Sequence, residues 1–154
     1  MNKTYFLGSN TAYGFFGDYA HLTRGKTVIL KGGAGTGKST LMKKVNEIAL
    51  DAGFMTETYR CSSDVSSFDA VFVPSKNFAV IDGTSPHVTE AEIPLVSGFV
   101  FNLLDAADEK KIAPYKDDIK YAVSCKKQYF NDAYCNLNLS LIHISEPTRL
   151  RRIS

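Results

Sequence analysis

An α/β domain built on a mainly parallel sheet is what this sequence predicts, and three features predict it. Thr27 to Lys31 (TVILK) is a β-branched apolar run between Gly25 and Gly32, the composition of a buried strand. Ser39 to Ala52 puts Leu41, Val45, Ile48 and Ala49 on one stripe at helical spacing, and Gly53 follows as a natural stop. Further apolar runs come next. Strand, helix, strand and strand in that order is the pattern of a largely parallel sheet crossed by helices.

The other elements follow in chain order. Thr4 to Gly8 reads as a short strand, then a loop rich in Gly, Asn and aromatic residues runs through Gly17, and a short helix is expected around Tyr19 to Thr23. Phe54 to Cys61 is a second strand, and Ser62 to Phe68 is a turn with room for one helical turn. Ala70–Val73 and Phe78–Ile81 are apolar runs flanking the turn Pro74–Asn77. From Asp117 to Leu137 the residues Ile119, Ala122, Val123, Phe130, Ala133, Tyr134 and Leu137 recur with helical period, which predicts a long amphipathic helix. No internal repeat and no low-complexity linker interrupts the chain.

Chemistry enters between the first buried strand and the helix. Gly32-Gly33-Ala34-Gly35-Thr36-Gly37-Lys38-Ser39 fits GxxxxGK[ST], the phosphate-binding P-loop, in the strand–turn–helix context the motif needs. Its glycines let backbone N–H groups turn inward around phosphate oxygens, and the helix N-terminus adds unpaired amides and an aligned dipole. Lys38 is expected on the β- and γ-phosphates, and the Ser39 hydroxyl on Mg²⁺. Thr40 either holds the first helical turn or meets the α-phosphate. At average amino-acid usage the pattern arises by chance in fewer than ~1 in 100 chains of this length, so it decides the ligand class. That class is a nucleoside triphosphate with magnesium, and ATP is the one expected.

Phe78-Ala79-Val80-Ile81-Asp82 is a buried-type strand ending in an acid, which suits Asp82 to the water shell of the metal, the Walker B role. Gly83 follows it, so the Asp-Glu pair that supplies a hydrolytic base in many ATPases is absent. His87, just beyond, is a candidate to sense the γ-phosphate or polarise a substrate, and equally a candidate to fix the turn after Pro86. Ser62, Ser63 and Asp64 follow a strand at the edge where open α/β sheets place ligands. Asp64 there is an acceptor-site acid or base on one reading and a cap on the other, and the cap is favoured. Asn10, Thr11, Tyr13 and Phe15 are candidates for the adenine ring or for the core. Asp108, Glu109, Lys110 and Lys111 read as a solvated surface.

Composition narrows the setting. At 154 residues with 44% apolar content the chain has room for one domain, and a chain this long buries roughly two-thirds of its unfolded surface. The formal charge is +2. Three arginines, Arg149, Arg151 and Arg152, less one glutamate, Glu146, give the last sixteen residues that whole +2. Residues 1–138 are therefore neutral and give no reason to expect nucleic acid or a membrane surface. Cys61, Cys125 and Cys135 are an odd number, far apart and without a CxxC pair, which points to a reducing cytoplasm and to no zinc site. No apolar stretch has signal-peptide or membrane-span character, so a soluble cytoplasmic protein is expected.

With these residues in place the chain resembles an uncharacterised family of bacterial P-loop ATPases, some labelled predicted nucleotide kinases, whose members are longer and carry two P-loop halves in tandem. The resemblance rests on YFLGSNTAYGF, KGGAGTGKSTLMKKV, CSSDVSSFDAVFVP and IDGTSPHV, and covers most of residues 1–138. It implies a three-layer P-loop NTPase fold and ATP binding through Gly32–Thr40, with hydrolysis or phosphoryl transfer in the intact protein. Leu139 to Arg149, LSLIHISEPTR, resembles instead the conceptual translation of a transposase-based sequencing-library adapter. The expectation is a partial P-loop domain over residues 1–138, truncated at its C-terminus, and a non-native tail over 139–154. The family's second half is then missing, and it or another protein is the expected partner. Two other functions stay open: a nucleotide or small-molecule kinase, and a non-catalytic module that binds nucleotide as a regulatory ligand. Arg24 and Arg60 are the only arginines before the tail, which counts against a self-contained kinase.

Overall fold

The computed structural model describes residues 2–85 and 89–145. The chain divides into two compact units, Met1–Ser9 with Gly17–Ala107, and Asn10–Phe16 with Asp108–Ser154. The first unit is α/β and carries a six-stranded, mainly parallel sheet. Its strands are β1 (Lys3–Phe6), β4 (Lys26–Lys31), β5 (Glu57–Arg60), β6 (Phe68–Val73), β7 (Phe78–Asp82) and β8 (Gly98–Asn102), in the spatial order β1-β5-β6-β7-β4-β8. Only β6 runs against the rest, because a tight turn at Pro74–Lys76 folds it back on β7 as an antiparallel neighbour. β2 (Gly8–Thr11) and β3 (Gly14–Gly17) pair separately, so the expected glycine-rich loop is a hairpin.

Helix α1 (Lys38–Asp51) lies between β4 and β5 in the chain. Gly53, at φ 79°, closes it: the N–H of Gly53 reaches Leu50 O and that of Phe54 reaches Ala49 O, which satisfies two of the last carbonyls. α1 covers one face of the sheet, where Met42 packs with Leu30, Phe68, Val71 and Val80, and Leu41 and Val45 pack against that cluster. Each fully buried Leu, Ile or Met contributes roughly 1.5–3 kcal/mol. Ile48, the third residue of the predicted stripe, is exposed, and Met42 takes the central place.

The other face is packed by Leu7, Tyr19 and Leu22 against Tyr59, Ala70, Ala79 and Ile81. Tyr19 and Leu22 come from the segment expected to be a short helix, and that expectation fails. The Asp18 carboxylate accepts from Ala20 N and the Thr23 hydroxyl donates to Ala20 O, so side chains tie the backbone into a single turn. Within this unit the second face is therefore covered by an irregular segment. β8 was not foreseen; it pairs in parallel with β4 on the side away from β7.

In the second unit, α2 (Glu109–Ile112) is capped by Asp108, which accepts from Lys110 N, and α3 spans Lys116–Ser145. The predicted long helix is thus present and extends through residues 139–145. Its apolar residues Ile119, Val123 and Leu137 are exposed, as are Leu139, Leu141, Ile142 and Ile144. Residues 146–154, the rest of the expected tail, lie outside the described residues.

Candidate phosphate-binding site

The five strands that run together bring their carboxyl ends to one edge of the sheet, where ligands of open α/β sheets bind. Gly32–Gly37 leaves that edge from β4 and opens α1. Gly35 and Gly37 take left-handed φ, 79° and 92°, and a Cβ on either would meet nothing within 4 Å. Glycine serves there for backbone conformation and not for room. Gly37 caps α1 without a side-chain bond, and no acid stands in the first turn. The first amides of the helix and its positive dipole end thus carry no side-chain cap.

Lys38 reaches back over the loop. Its Nζ donates to Gly32 O at 2.6 Å and Gly33 O at 2.8 Å and stands 3.7 Å from Asp82 Oδ2. Asp82 is brought there by register, since β7 lies beside β4 with Asp82 opposite Leu30. Its other oxygen accepts from Thr84 N at 2.8 Å. Ser39 Oγ accepts from the Phe68 N–H at 3.0 Å, which ties the start of β6 to the start of α1 and leaves the hydroxyl a second lone pair. Thr36 Oγ1 donates to Gly33 O at 2.9 Å, while Ala34 and Thr40 are exposed. Lys38, Ser39 and Asp82, named from sequence, thus share the sheet edge with the loop. His87 lies outside the described residues.

Asp64 closes the turn before β6, and among the described residues no helix begins there for it to cap. Its carboxylate accepts from the Ser67 hydroxyl and from the hydroxyl and backbone N–H of Ser66, which together hold its pKa below the usual carboxylate range. The adenine candidates belong to the other unit. Thr11 Oγ1 donates to Gly14 O at 2.7 Å within the hairpin, Asn10 Oδ1 accepts from Tyr134 at 3.0 Å, and Tyr13 is exposed.

Three residues here escaped the sequence reading. Thr84 Oγ1 donates to Gly32 O at 2.8 Å, so one residue holds both the loop and Asp82. The Lys31 ammonium donates to Gly83 O and fixes the same turn from beneath. Asp69 is buried in β6, and its signal was legible: an acid inside an otherwise apolar strand. An apolar hollow of about 260 Å³ near the C-terminal end of α1 is lined by Val45, Ile48, Phe54 and Phe78 among others, with Lys76 at its wall.

Comparison with protein-family models, curated proteins and solved structures returns no match. Among the described residues no helix is long and apolar enough to cross a membrane.

Proposed function

We propose that this chain binds ATP with Mg²⁺ through Gly32–Thr40, as the P-loop half of a cytoplasmic three-layer NTPase that hydrolyses ATP in its intact form. One observation carries the reading: an uncapped, glycine-turned loop follows a buried strand, opens a helix, and holds Lys38 within 3.7 Å of Asp82 on the adjoining strand. The donor set fits the ligand. Backbone amides and the Lys38 ammonium meet the phosphates, and Ser39 Oγ with Asp82 supports a hard cation that phosphate oxygens and water also ligate. Among the described residues no three His, Cys, Asp or Glu side chains form a metal cage, which suits a cation that arrives with the nucleotide. When bound, magnesium neutralises charge on the phosphates.

Gly83 in the place of a second acid favours one other reading, a module that binds ATP and changes shape without turning it over. A kinase would need cationic side chains on its acceptor lid, and Arg60 is already bound to Val65 O and stacked on Phe68. The test is titration of the purified chain with a fluorescent ATP analogue, with and without magnesium, beside Lys38→Ala. Magnesium-dependent saturation lost in the variant supports the proposal, and equal affinity in both refutes it.

A further inference from the structure

Asp69 is only 4% exposed, and the phosphate-binding reading makes no use of it. Its position has a specific cause. β5 and β6 pair Tyr59 with Ala70 and Arg60 with Phe68, so the ladder slips by one residue and Asp69 is the extra one. A bulge of this kind re-aims the side chain it carries. The residues on either side of Asp69 are tied to Ser39 and to the strand that ends in Asp82. Phe68 donates its N–H to Ser39 Oγ, and Ala70 pairs with Ile81, the residue before Asp82.

The surroundings of Asp69 agree. The Tyr19 hydroxyl is pushed well above the ordinary tyrosine value, first by burial and then by the charges of both Asp69 and Asp82, so a single phenol feels the two carboxylates. The Cys61 thiol, raised chiefly by burial, donates to Asp69 while its sulfur accepts from the backbone N–H of Ser63 and Asp64.

We propose that Asp69 is the catalytic base that orients and deprotonates the attacking water when ATP is hydrolysed at Gly32–Ser39, an inference that rests on the ATP-binding reading above. In the step, the water oxygen bonds to the γ-phosphorus, and the bond from that phosphorus to the β–γ bridging oxygen breaks. ADP leaves with the electron pair, and the water proton passes to the Asp69 carboxylate and from there to solvent. The competing role is an anchor for Tyr19, in which Asp69 would never meet the water.

The experiment uses the full chain as Asp69→Asn and Tyr19→Phe. Each is measured for affinity toward a fluorescent ATP analogue with magnesium, for thermal unfolding, and for phosphate release in a single turnover followed over hours. The amide retains the size of the acid and an acceptor oxygen but cannot take the proton. Expected for Asp69→Asn is affinity within about 3-fold of wild type and phosphate release slower by on the order of 100-fold, the lower end of what a positioned base contributes. Tyr19→Phe should release phosphate within a few-fold of wild type. Unchanged release in Asp69→Asn overturns the proposal, as does an equal loss in Tyr19→Phe. Wild-type protein that binds ATP but releases no phosphate overturns the role of Asp69 and leaves the binding site standing. Failure of the wild type to bind ATP removes both. Should the amide variant unfold, Asp69→Ala with added formate decides the matter: release restored by formate supports a carboxylate acting on water, and no restoration opposes it.

Discussion

Lys38→Ala separates the binding role of this lysine from any structural one, because the structure supplies a second donor for each acceptor that Lys38 occupies. Gly32 O also accepts from Thr84 Oγ1 and Gly33 O from Thr36 Oγ1, so neither carbonyl is orphaned when the ammonium goes. Asp82 loses a partner at 3.7 Å and keeps the Thr84 N–H. With no buried group left bare, the expected stability loss is on the order of 1 kcal/mol, the size of a single hydrogen-bond or ion-pair deletion. The ligand has no such reserve. A hydrogen bond to a charged group contributes roughly 1.5–3 kcal/mol, and a lysine that bridges two phosphates makes more than one. About 3 kcal/mol corresponds to an affinity loss of roughly 100-fold. Titration with a fluorescent ATP analogue reads the affinity, and a thermal melt of the same sample reads the stability. A large fall in melting temperature with little change in affinity would refute the reasoning, since it would make Lys38 a structural cation.

Three further outcomes are expected. Asp82→Asn should weaken nucleotide binding more with magnesium than without, because the amide keeps the size of the acid and loses its charge; an equal loss in both titrations would make Asp82 a turn residue. Gly83→Ala should destabilise the fold by about 1–3 kcal/mol, since its Cβ would lie 2.3 Å from the Ile29 side chain, whereas Gly35→Ala meets nothing within 4 Å and should cost only the roughly 1 kcal/mol of left-handed backbone. Chemical denaturation of the two variants compares them, and a larger loss at Gly35 would contradict the geometry. Steady-state turnover should stay well below ~1 s⁻¹, because an arginine finger contributes on the order of 10³–10⁵ in rate and neither arginine among the described residues is set to act as one: Arg24 is exposed and Arg60 is held by Val65 O. Release of several phosphates per second, abolished in Lys38→Ala, would show a complete active site.

The parts of this fold that local composition dictates were legible in the sequence. β4, α1 and β7 each carry their own signal: a β-branched run, a helical stripe with a glycine stop, and an apolar run with a terminal acid. The failures have a common origin in contacts between distant residues. Tyr19–Thr23 has the composition of a helix start, but Asp18 and Thr23 bind the backbone first. The direction of β6 is set by the turn at Pro74–Lys76, and no pattern within the strand reveals it. Asp69 stands out along the chain as an acid in an apolar run, but the bulge that aims it exists only against β5. Thr84 appeared in the sequence as one residue of a turn, and its bond to Gly32 O spans fifty-two positions.

That bond bears on how nucleotide and metal act together. Asp82 and the Gly32 and Gly33 carbonyls share the Lys38 ammonium, so on the proposed function a triphosphate without magnesium would compete with a carboxylate for the same cation. If the chain binds ATP as proposed, a magnesium ion arriving with the phosphates would give the Asp82 charge a new partner and leave Lys38 to the phosphates. Thr84 donates to Gly32 O through its hydroxyl and to Asp82 through its backbone N–H, so both would keep a partner if the lysine turned to a ligand. The ammonium could thus leave the two carbonyls without orphaning either, since each retains another donor. Magnesium and ATP should on this account bind with positive coupling, each raising the affinity of the other by the same factor. The charge of Asp82 would contribute to that coupling, so Asp82→Asn should lower it and leave magnesium-free binding no weaker, since the competition for Lys38 is then gone.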